Sequence, residues 1–178
     1  MKYLIFIVIL LNSCTSYIDV PKNNLNNNYV VFDYNNNQNN FKYINKVNAT
    51  ADHEVYYTTN FSISLPKKII NWNIVDNNFF FEYDSKQLIY IYSSSSYKNE
   101  GEESDNWIES EISPSEIDKI LNTYWQKRSY NENYLLNNHP GRISKLYSNG
   151  KYKILLYNIK AQNFPIFNKS SKTFSVNK

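Results

Sequence analysis

The sequence predicts an α+β domain in which one main amphipathic helix, over about residues 113–128, lies on one face of an antiparallel sheet. Two observations predict this class. Several short segments alternate apolar and polar residues with a period of two and are separated by turn residues, which indicates strands joined by hairpins. One further segment combines a helix cap with an apolar stripe at helical spacing.

The composition narrows the classes of protein to which the chain can belong. Its 178 residues suffice for one domain with its own core, and the single cysteine excludes an intramolecular disulfide. The net charge of +3 is small for a dedicated nucleic-acid binder, and the three glycines argue against a glycine-rich phosphate loop. We therefore expect neither a nucleic-acid partner nor a cofactor.

The first element is an N-terminal leader. A positively charged start precedes an apolar run over residues 3–11, which is typical of a secretory signal and is shorter than the roughly 20 residues of a membrane span. The run leads into Leu11-Asn12-Ser13-Cys14, which resembles a bacterial lipobox. The resemblance implies diacylation of the Cys14 thiol, then cleavage before Cys14, and then acylation of the new amine. The alternative is an ordinary leader followed by an accidental cysteine.

The lipobox and the asparagine-rich composition together resemble lipoproteins of the Bacteroidetes. Because Thr15 rather than Asp follows the cysteine, the resemblance implies an outer-membrane lipoprotein anchored through Cys14, with the periplasmic or surface face left open. On this interpretation the chain divides into a signal peptide over 1–13, a lipidated cysteine and asparagine-rich tether over 14–28, and one α+β domain over 29–178, best defined over 56–176.

The N-terminal half of the domain is predicted to consist of strands. Residues 29–34 and 41–47 have strand character and flank an asparagine-rich turn. Residues 61–65 alternate strictly, with their odd-numbered apolar side chains facing inward. Residues 79–83 and 87–92 flank a short polar connection, and this pattern predicts a β-hairpin.

A polar and acidic stretch over residues 93–111, which we expect to be a solvated loop, precedes the predicted helix. Ser113, Pro114 and Glu116 fit a capping box with proline at the first helical position. Apolar residues then recur on one helix face, which must pack on the sheet. They are Ile117, Ile120, Leu121, Tyr124 and Trp125.

A second hairpin and a C-terminal tail follow the Pro-Gly break at residues 140–141. Residues 143–147 and 152–159 flank the Asn-Gly dipeptide 149–150, which predicts a two-residue turn with positive φ at both positions. The tail over 164–176 has spaced aromatic residues, and it predicts a short helix followed by a final strand.

The order of these elements resembles a known domain type. Residues 61–66 read Phe-Ser-Ile-Ser-Leu-Pro, and Trp72 follows closely. Such a strand, followed by a hairpin, a helix and further strands, resembles PsbP/Mog1-like domains, with residues 172–174 (Lys-Thr-Phe) as the counterpart of their closing segment. The resemblance covers about residues 56–176 and implies a non-catalytic accessory or assembly module.

Few residues qualify as catalytic or metal-binding groups. His53 and His139 are the two histidines, and we interpret them as a loop residue and a turn residue. The acidic residues between positions 100 and 111 lack the regular spacing of a calcium-binding loop. We therefore predict no catalytic residues and no metal site.

Aromatic residues in and near the first hairpin are the best candidate for a binding surface. Flat rings with hydroxyls at their edge suit stacking on a sugar or contact with a protein. The alternative is that the rings pack beneath the helix over 113–128, which needs an apolar surface to lie on. The candidate residues are Tyr83, Tyr90, Tyr92, Tyr97 and Trp107.

The sequence supports three functional hypotheses. The first is a lipid-anchored, non-enzymatic envelope accessory protein that presents its domain to a protein partner, and it predicts that Tyr90 and Tyr92 are buried. The second is a carbohydrate-binding lipoprotein, which predicts an exposed platform of Tyr and Trp rings. The third is an envelope hydrolase, which predicts a deep pocket with two acids or with His53 beside an acid.

Overall fold

The computed structural model describes residues 17–19, 24–35, 37–44, 60–75, 78–93, 106–115 and 129–177. These ranges contain the strands of two β-sheets and short helices. The strands are β1 (Leu25–Asn26), β2 (Val30–Tyr34), β3 (Asn39–Tyr43), β4 (Phe61–Leu65), β5 (Ile69–Val75), β6 (Asn78–Tyr83), β7 (Gln87–Ser93), β8 (Ile108–Ser110), β9 (Arg142–Ser148), β10 (Tyr152–Lys160) and β11 (Ser175–Val176). Helix α1 spans Glu132–Leu135, and helix α2 spans Phe164–Ser171.

The strands divide between two sheets that face each other. The first sheet has the order β1-β2-β3-β4-β11, and the second has the order β5-β6-β7-β10-β9-β8. Neighbouring strands pair antiparallel in both sheets. A sheet-rich antiparallel α+β fold is therefore confirmed, but the described residues form two sheets where the sequence predicts one.

Aromatic rings fill the space between the sheets. Phe41 of the first sheet lies 5.0 Å from Phe81 and 6.0 Å from Phe79 of the second, measured between ring centres. Phe61 and Phe79 meet edge to face at 4.8 Å and 89°. Each contact of this kind adds about 0.5–1.5 kcal/mol to the stabilisation from buried area. The two sheets therefore share one aromatic core.

The central strands β6, β7 and β10 of the second sheet are buried on both faces. Phe80 points away from the core between the sheets and joins Tyr90 and Leu155 in a second cluster. Leu135 of α1 and Ile112 belong to this cluster as well. Burial on both faces explains why β7 and β10 are almost continuously apolar instead of alternating.

Only the start of the predicted helix lies within the described residues. Pro114 and Ser115 are helical, and Ile112 just before them is buried. Residues 116–128, which include the predicted apolar stripe, lie outside the described ranges. The helix over 113–128 therefore stays a prediction. Across the described part of the chain, no helix has the length and apolar character needed to span a bilayer.

The two edge strands of the second sheet have no clear signal in the sequence. β5 includes Asn71 and Asn73, and Ile69 is its one fully buried side chain. All three residues of β8 are exposed. Each of these strands is held by backbone pairing to one neighbour. The predicted loop over 93–111 thus contains a short strand, while its residues 94–105 lie outside the described ranges.

The β9–β10 hairpin is confirmed, but its turn differs from the predicted one. Three residues, 149–151, connect the strands, and only Gly150 among them has a positive φ, of 90°. The side chain of Asn149 instead accepts a hydrogen bond from the N–H of Tyr152 at 2.8 Å. The side chain of Asn149 thus closes the turn, and Gly150 supplies its left-handed position.

The N-terminal tether predicted over residues 14–28 is wrong for its described part. Ile18 donates its N–H to the carbonyl of Ile69 at 2.9 Å and packs against the core. Asp19 is fully buried, and β1 pairs with β2 at the edge of the first sheet. The folded domain therefore begins no later than Tyr17, because these contacts fix the segment to the sheets.

Candidate functional site

The chain passes from the first sheet to the second at a sharp corner between β4 and β5. β4 ends at Leu65 and β5 begins at Ile69, so three residues make the crossing. Pro66 has no N–H to donate to a sheet, and Lys68 adopts a left-handed conformation with a φ of 70°. The corner therefore leaves backbone N–H groups that need partners from outside the sheets.

Asp19 supplies those partners. Its buried carboxylate accepts hydrogen bonds from the N–H of Lys68 at 2.8 Å and from the N–H of Ile69 at 3.0 Å. The side-chain amide of Asn39 donates a third at 3.0 Å, and the ammonium of Lys67 lies 4.0 Å away. A buried carboxylate is tolerated only with such donors and a counter-charge. Asp19 thereby fixes the N-terminal segment to the corner.

Tyr17 makes a second attachment. Its hydroxyl donates a hydrogen bond to the carboxylate of Asp84, in the 3₁₀ turn between β6 and β7. The ammonium of Lys68 lies 6.0 Å from the centre of the Tyr17 ring. The hydrogen bond to Asp84, followed by burial and the negative charges of Asp84 and Asp19, raises the pKa of Tyr17. Tyr17 therefore remains a neutral donor to Asp84 at physiological pH.

A groove of about 790 Å³ opens beside this corner. The buried side chains of Leu65, Tyr83 and Phe167 form its apolar part. Its charged lining consists of four lysines and one carboxylate, that of Asp84. The lysines come from the corner, from the end of β10 and from α2, and they are Lys67, Lys68, Lys160 and Lys169. We call this feature the lysine groove.

Polar side chains complete the lining and hold one another in place. Gln38 donates to the hydroxyl of Ser64 at 3.2 Å. The side-chain carbonyl of Gln87 accepts from the amide of Asn163 at 3.0 Å and from the N–H of Lys160 at 2.9 Å. Several ammonium groups beside such fixed polar groups favour a ligand with negatively charged oxygens, such as a phosphate.

Three residues of the predicted aromatic surface lie in the core. Tyr83, Tyr90 and Tyr92 are 4%, 1% and 2% exposed. Tyr83 lies between the sheets, where its hydroxyl donates to the carbonyl of Pro66 at 3.4 Å. On the other face of the second sheet, Tyr90 stacks on Phe80 at 4.5 Å and on Tyr92 at 4.7 Å. These rings form no exposed surface, because both faces of their sheet are buried.

The other residues singled out in the sequence have different positions. Trp107 is half-buried, and its ring meets that of Phe174 edge to face at 5.3 Å. Tyr97, Cys14 and His53 lie outside the described residues. The aromatic surface is thus reduced to Trp107 and the undescribed Tyr97.

The described histidine and acidic residues do not converge on one site. His139 is exposed, with its ring 4.6 Å from that of Tyr134. Glu109 forms an ion pair with Lys145 between β8 and β9. Within the described ranges, no group of three or more His, Cys, Asp or Glu side chains is placed to hold a metal ion.

A second cavity, of about 290 Å³, lies beside Ser129 and Tyr157. The hydroxyl of Tyr157 donates to the carbonyl of Asn131 at 3.3 Å and accepts from its N–H at 3.0 Å. Burial raises the pKa of Tyr157 to about 12, although the backbone hydrogen bond opposes the shift. Glu82 is the one acidic residue that lines this second cavity, and Asp84 is the one that lines the lysine groove. Neither cavity therefore contains a pair of acids.

The sequence analysis does not identify Tyr17 and Asp19, the two residues that attach the N-terminal segment near the corner. Tyr17 and Ile18 are two consecutive apolar residues followed by an acid within an asparagine-rich segment, and this departure from the local composition is a usable signal of docking. The lysine groove has no comparable local signal. Its lysines belong to segments separated by up to about a hundred residues, and the fold alone brings them together.

Comparison with known proteins assigns the chain to no family. The chain matches no family model, no curated protein and no solved structure. The chemistry of the corner and of the lysine groove therefore follows from their own side chains alone.

Proposed function

We propose that the chain is a lipid-anchored, non-enzymatic accessory lipoprotein of the bacterial outer membrane, and that it presents its sheet-rich domain to a protein partner in the envelope. The observation that carries this proposal is Cys14, which stands in a lipobox-like motif at the end of a leader. Two or three acyl chains on one residue hold a protein firmly at a bilayer that the chain does not cross.

The docked N-terminal segment supports a short connection between lipid and domain. Tyr17 comes three residues after Cys14, and three extended residues reach about 10 Å. The hydrogen bonds of Tyr17 and Asp19 fix this segment to the β4–β5 corner. In the proposed arrangement, the corner is therefore the end of the domain nearest to the membrane.

The opposite end of the domain offers apolar side chains to a partner. β4, β6 and β10 all end near the corner, so their first residues and the β9–β10 turn lie at the far end. Tyr29 before β2, Val75 at the end of β5 and Ile108 in β8 belong to this far end, and they are 56%, 36% and 68% exposed. Val75 and Ile108 lie on opposite edge strands of the second sheet, so these side chains would give a protein partner separate apolar contacts and not one continuous patch.

Fractionation of the native host tests the anchor. We expect the wild-type protein in the membrane fraction, and Cys14→Ala, which removes the acylated thiol, should abolish its attachment. Inhibition of the lipoprotein signal peptidase by globomycin should instead cause a membrane-bound precursor that still carries residues 1–13 to accumulate. Ser13→Ala is the matched control, because it keeps a small residue before the cysteine and should leave attachment intact. Continued attachment of the Cys14→Ala protein would reject the anchor.

Site-specific photo-cross-linking in native membranes tests the partner surface. A photoreactive residue in place of Ile108, at the far end, should give an adduct with a discrete envelope protein. The same group in place of Ile166, near the corner, should not give that adduct. An identical adduct from both positions, or one from Ile166 only, contradicts the assignment of the far end to the partner.

The finer features of the fold belong to this proposal as well. Helical Pro114 and Ser115 and the buried side chain of Ile112 support an amphipathic helix over 113–128 on the second sheet. The strand Phe61–Leu65, followed by Pro66, supports a PsbP/Mog1-like accessory module. The described residues give no specific support to carbohydrate binding or hydrolysis.

A further inference from the structure

We infer that the lysine groove binds the phosphate headgroups of anionic lipids in the membrane to which Cys14 is attached. The inference rests on the proposed lipid anchor for the direction in which the domain faces. It adds a second, non-covalent contact that fixes how the domain lies on the bilayer.

The position of Tyr17 places the lysine groove next to the anchored end of the chain. Tyr17 contacts two residues of the groove lining, Asp84 through a hydrogen bond and Lys68 through its ring. Cys14 is three residues upstream, so its acyl chains enter the bilayer within about 10 Å of Tyr17. Lipid headgroups are therefore the ligands present at the highest local concentration beside the groove.

The charges of the groove complement a phosphate. Four ammonium groups line it against the single carboxylate of Asp84, which already accepts a hydrogen bond from Tyr17. Asp19 lies behind the corner, but its carboxylate is occupied by backbone and amide donors. Among the described residues, no carboxylate lies within 4.0 Å of Lys68, Lys160 or Lys169, and the ammonium of Lys68 lies 6.0 Å from the centre of the Tyr17 ring. Lys160 and Lys169 are therefore the cations that we expect to be most available to a phosphate diester.

An exposed apolar side chain lies at the same place. Ile166 of α2 lines the lysine groove and is 61% exposed. An apolar side chain beside lysines is typical of a surface that rests on a bilayer, where it enters the boundary between headgroups and acyl chains. A soluble phosphate would gain nothing from such a neighbour, so the observations favour a lipid as the source of the phosphate.

Vesicle binding by protein without acyl chains tests the inference. The mature chain from residue 14, with Cys14→Ser, retains every described residue. It should cosediment with vesicles that contain phosphatidylglycerol and phosphatidylcholine, and not with phosphatidylcholine alone. The Lys160→Gln/Lys169→Gln variant should bind the anionic vesicles about tenfold more weakly, since each lysine near an anionic surface contributes about fivefold before screening.

A control with the same change in charge separates the groove from general electrostatics. Lys42 is exposed on β3, and Lys151 lies in the β9–β10 turn at the far end. Lys42→Gln/Lys151→Gln should change binding less than twofold. Should the groove variant fail to fold, Lys169→Gln alone changes one exposed side chain and should weaken binding about threefold to fivefold.

Three results would overturn the inference. The first is equal binding to anionic and neutral vesicles, or no binding to either. The second is an equal loss of binding in the groove variant and the control variant. The third is selective displacement by inorganic phosphate, relative to chloride at equal ionic strength, which would identify a soluble phosphate as the ligand. The acyl anchor is absent from this assay, so failure here and failure of the anchor in native cells are separate results.

Discussion

The carboxylate of Asp19 joins three segments that are distant in sequence, namely residues 17–19, β3 and the β4–β5 corner. It accepts hydrogen bonds from the N–H groups of Lys68 and Ile69 and from the side-chain amide of Asn39, which also donates to the carbonyl of Pro66 at 3.0 Å. Without Asp19, the N–H of Ile69 would be a buried donor without a partner, which costs about 1–3 kcal/mol. One side chain in an apparently featureless polar segment therefore determines where the fold begins.

Asp19→Ala is expected to lower the free energy of unfolding by about 3 kcal/mol, because it removes the acceptor of the Lys68 and Ile69 N–H groups and the carboxylate nearest to the Lys67 ammonium. Urea unfolding followed by tryptophan fluorescence measures the change. Asp33→Ala is the control, since Asp33 is exposed on β2 and its removal should cost within about 0.5 kcal/mol. Equal effects of the two substitutions would show that the segment 17–19 is not docked in solution.

Tyr90→Phe is expected to raise the free energy of unfolding by about 1 kcal/mol. The hydroxyl of Tyr90 is buried and has no hydrogen-bond partner among the described residues, so its removal relieves a desolvation penalty. Tyr157→Phe is the matched control and should lower stability by about 1 kcal/mol, since its hydroxyl bonds both backbone groups of Asn131. Destabilisation of both variants to the same extent would argue against an unpaired Tyr90 hydroxyl.

At the scale of elements, the sequence predicts best the hairpins, in which each strand pairs with the next strand along the chain. The β6–β7 and β9–β10 hairpins join adjacent apolar segments, and both are confirmed. β5 and β8 escape prediction because they bury few side chains and depend on backbone pairing to one neighbour. The division into two sheets is also not predicted, because it depends on the three-residue corner before Ile69, where the chain passes from one sheet to the other.

The β9–β10 turn depends on Gly150, whose φ of 90° lies in a region that side chains with a Cβ rarely adopt. Gly150→Ala should lower the free energy of unfolding by about 1–2 kcal/mol. Gly150→Asn should cost less, because asparagine tolerates the left-handed region better than alanine does. Thermal unfolding of the three proteins measures this order, and an Ala variant as stable as wild type would contradict the observed turn.

At the scale of the whole molecule, the buried tyrosines make stability depend on alkaline pH. Burial, with the charge of Asp19, raises the pKa of Tyr34 to about 12, and burial raises that of Tyr157 to about 12. An unfolded tyrosine titrates near about pH 10. The folded state thus retains these protons longer, so their contribution to stability is complete below about pH 10 and declines as the pH rises through 10 toward 12.

Urea unfolding should therefore show a lower midpoint at about pH 11 than at about pH 8. The Tyr34→Phe/Tyr157→Phe variant should show a smaller decrease between the two conditions, whatever its stability at the lower pH. An identical decrease in variant and wild type would assign the pH dependence to other groups. Absorbance at the phenolate band reports the titration itself.

The candidate site could be predicted only in part. The proposed anchor rests on a short, contiguous motif that ends at Cys14, so it can be predicted from the sequence alone. The lysine groove is assembled from β4–β5, β10 and α2, and its lysines look like ordinary surface residues until the fold brings them together. The docking of Tyr17 connects the two features, since it holds the residue three positions after Cys14 beside the groove.

The N-terminal peptide of protein purified from native membranes gives the most direct test of the account. Mass spectrometry should find Cys14 as the first residue, with a diacylglyceryl group on its sulfur and an acyl group on its amine. An unmodified Cys14 thiol, or a chain that still carries residues 1–13, would contradict a domain held at the bilayer by its lipid.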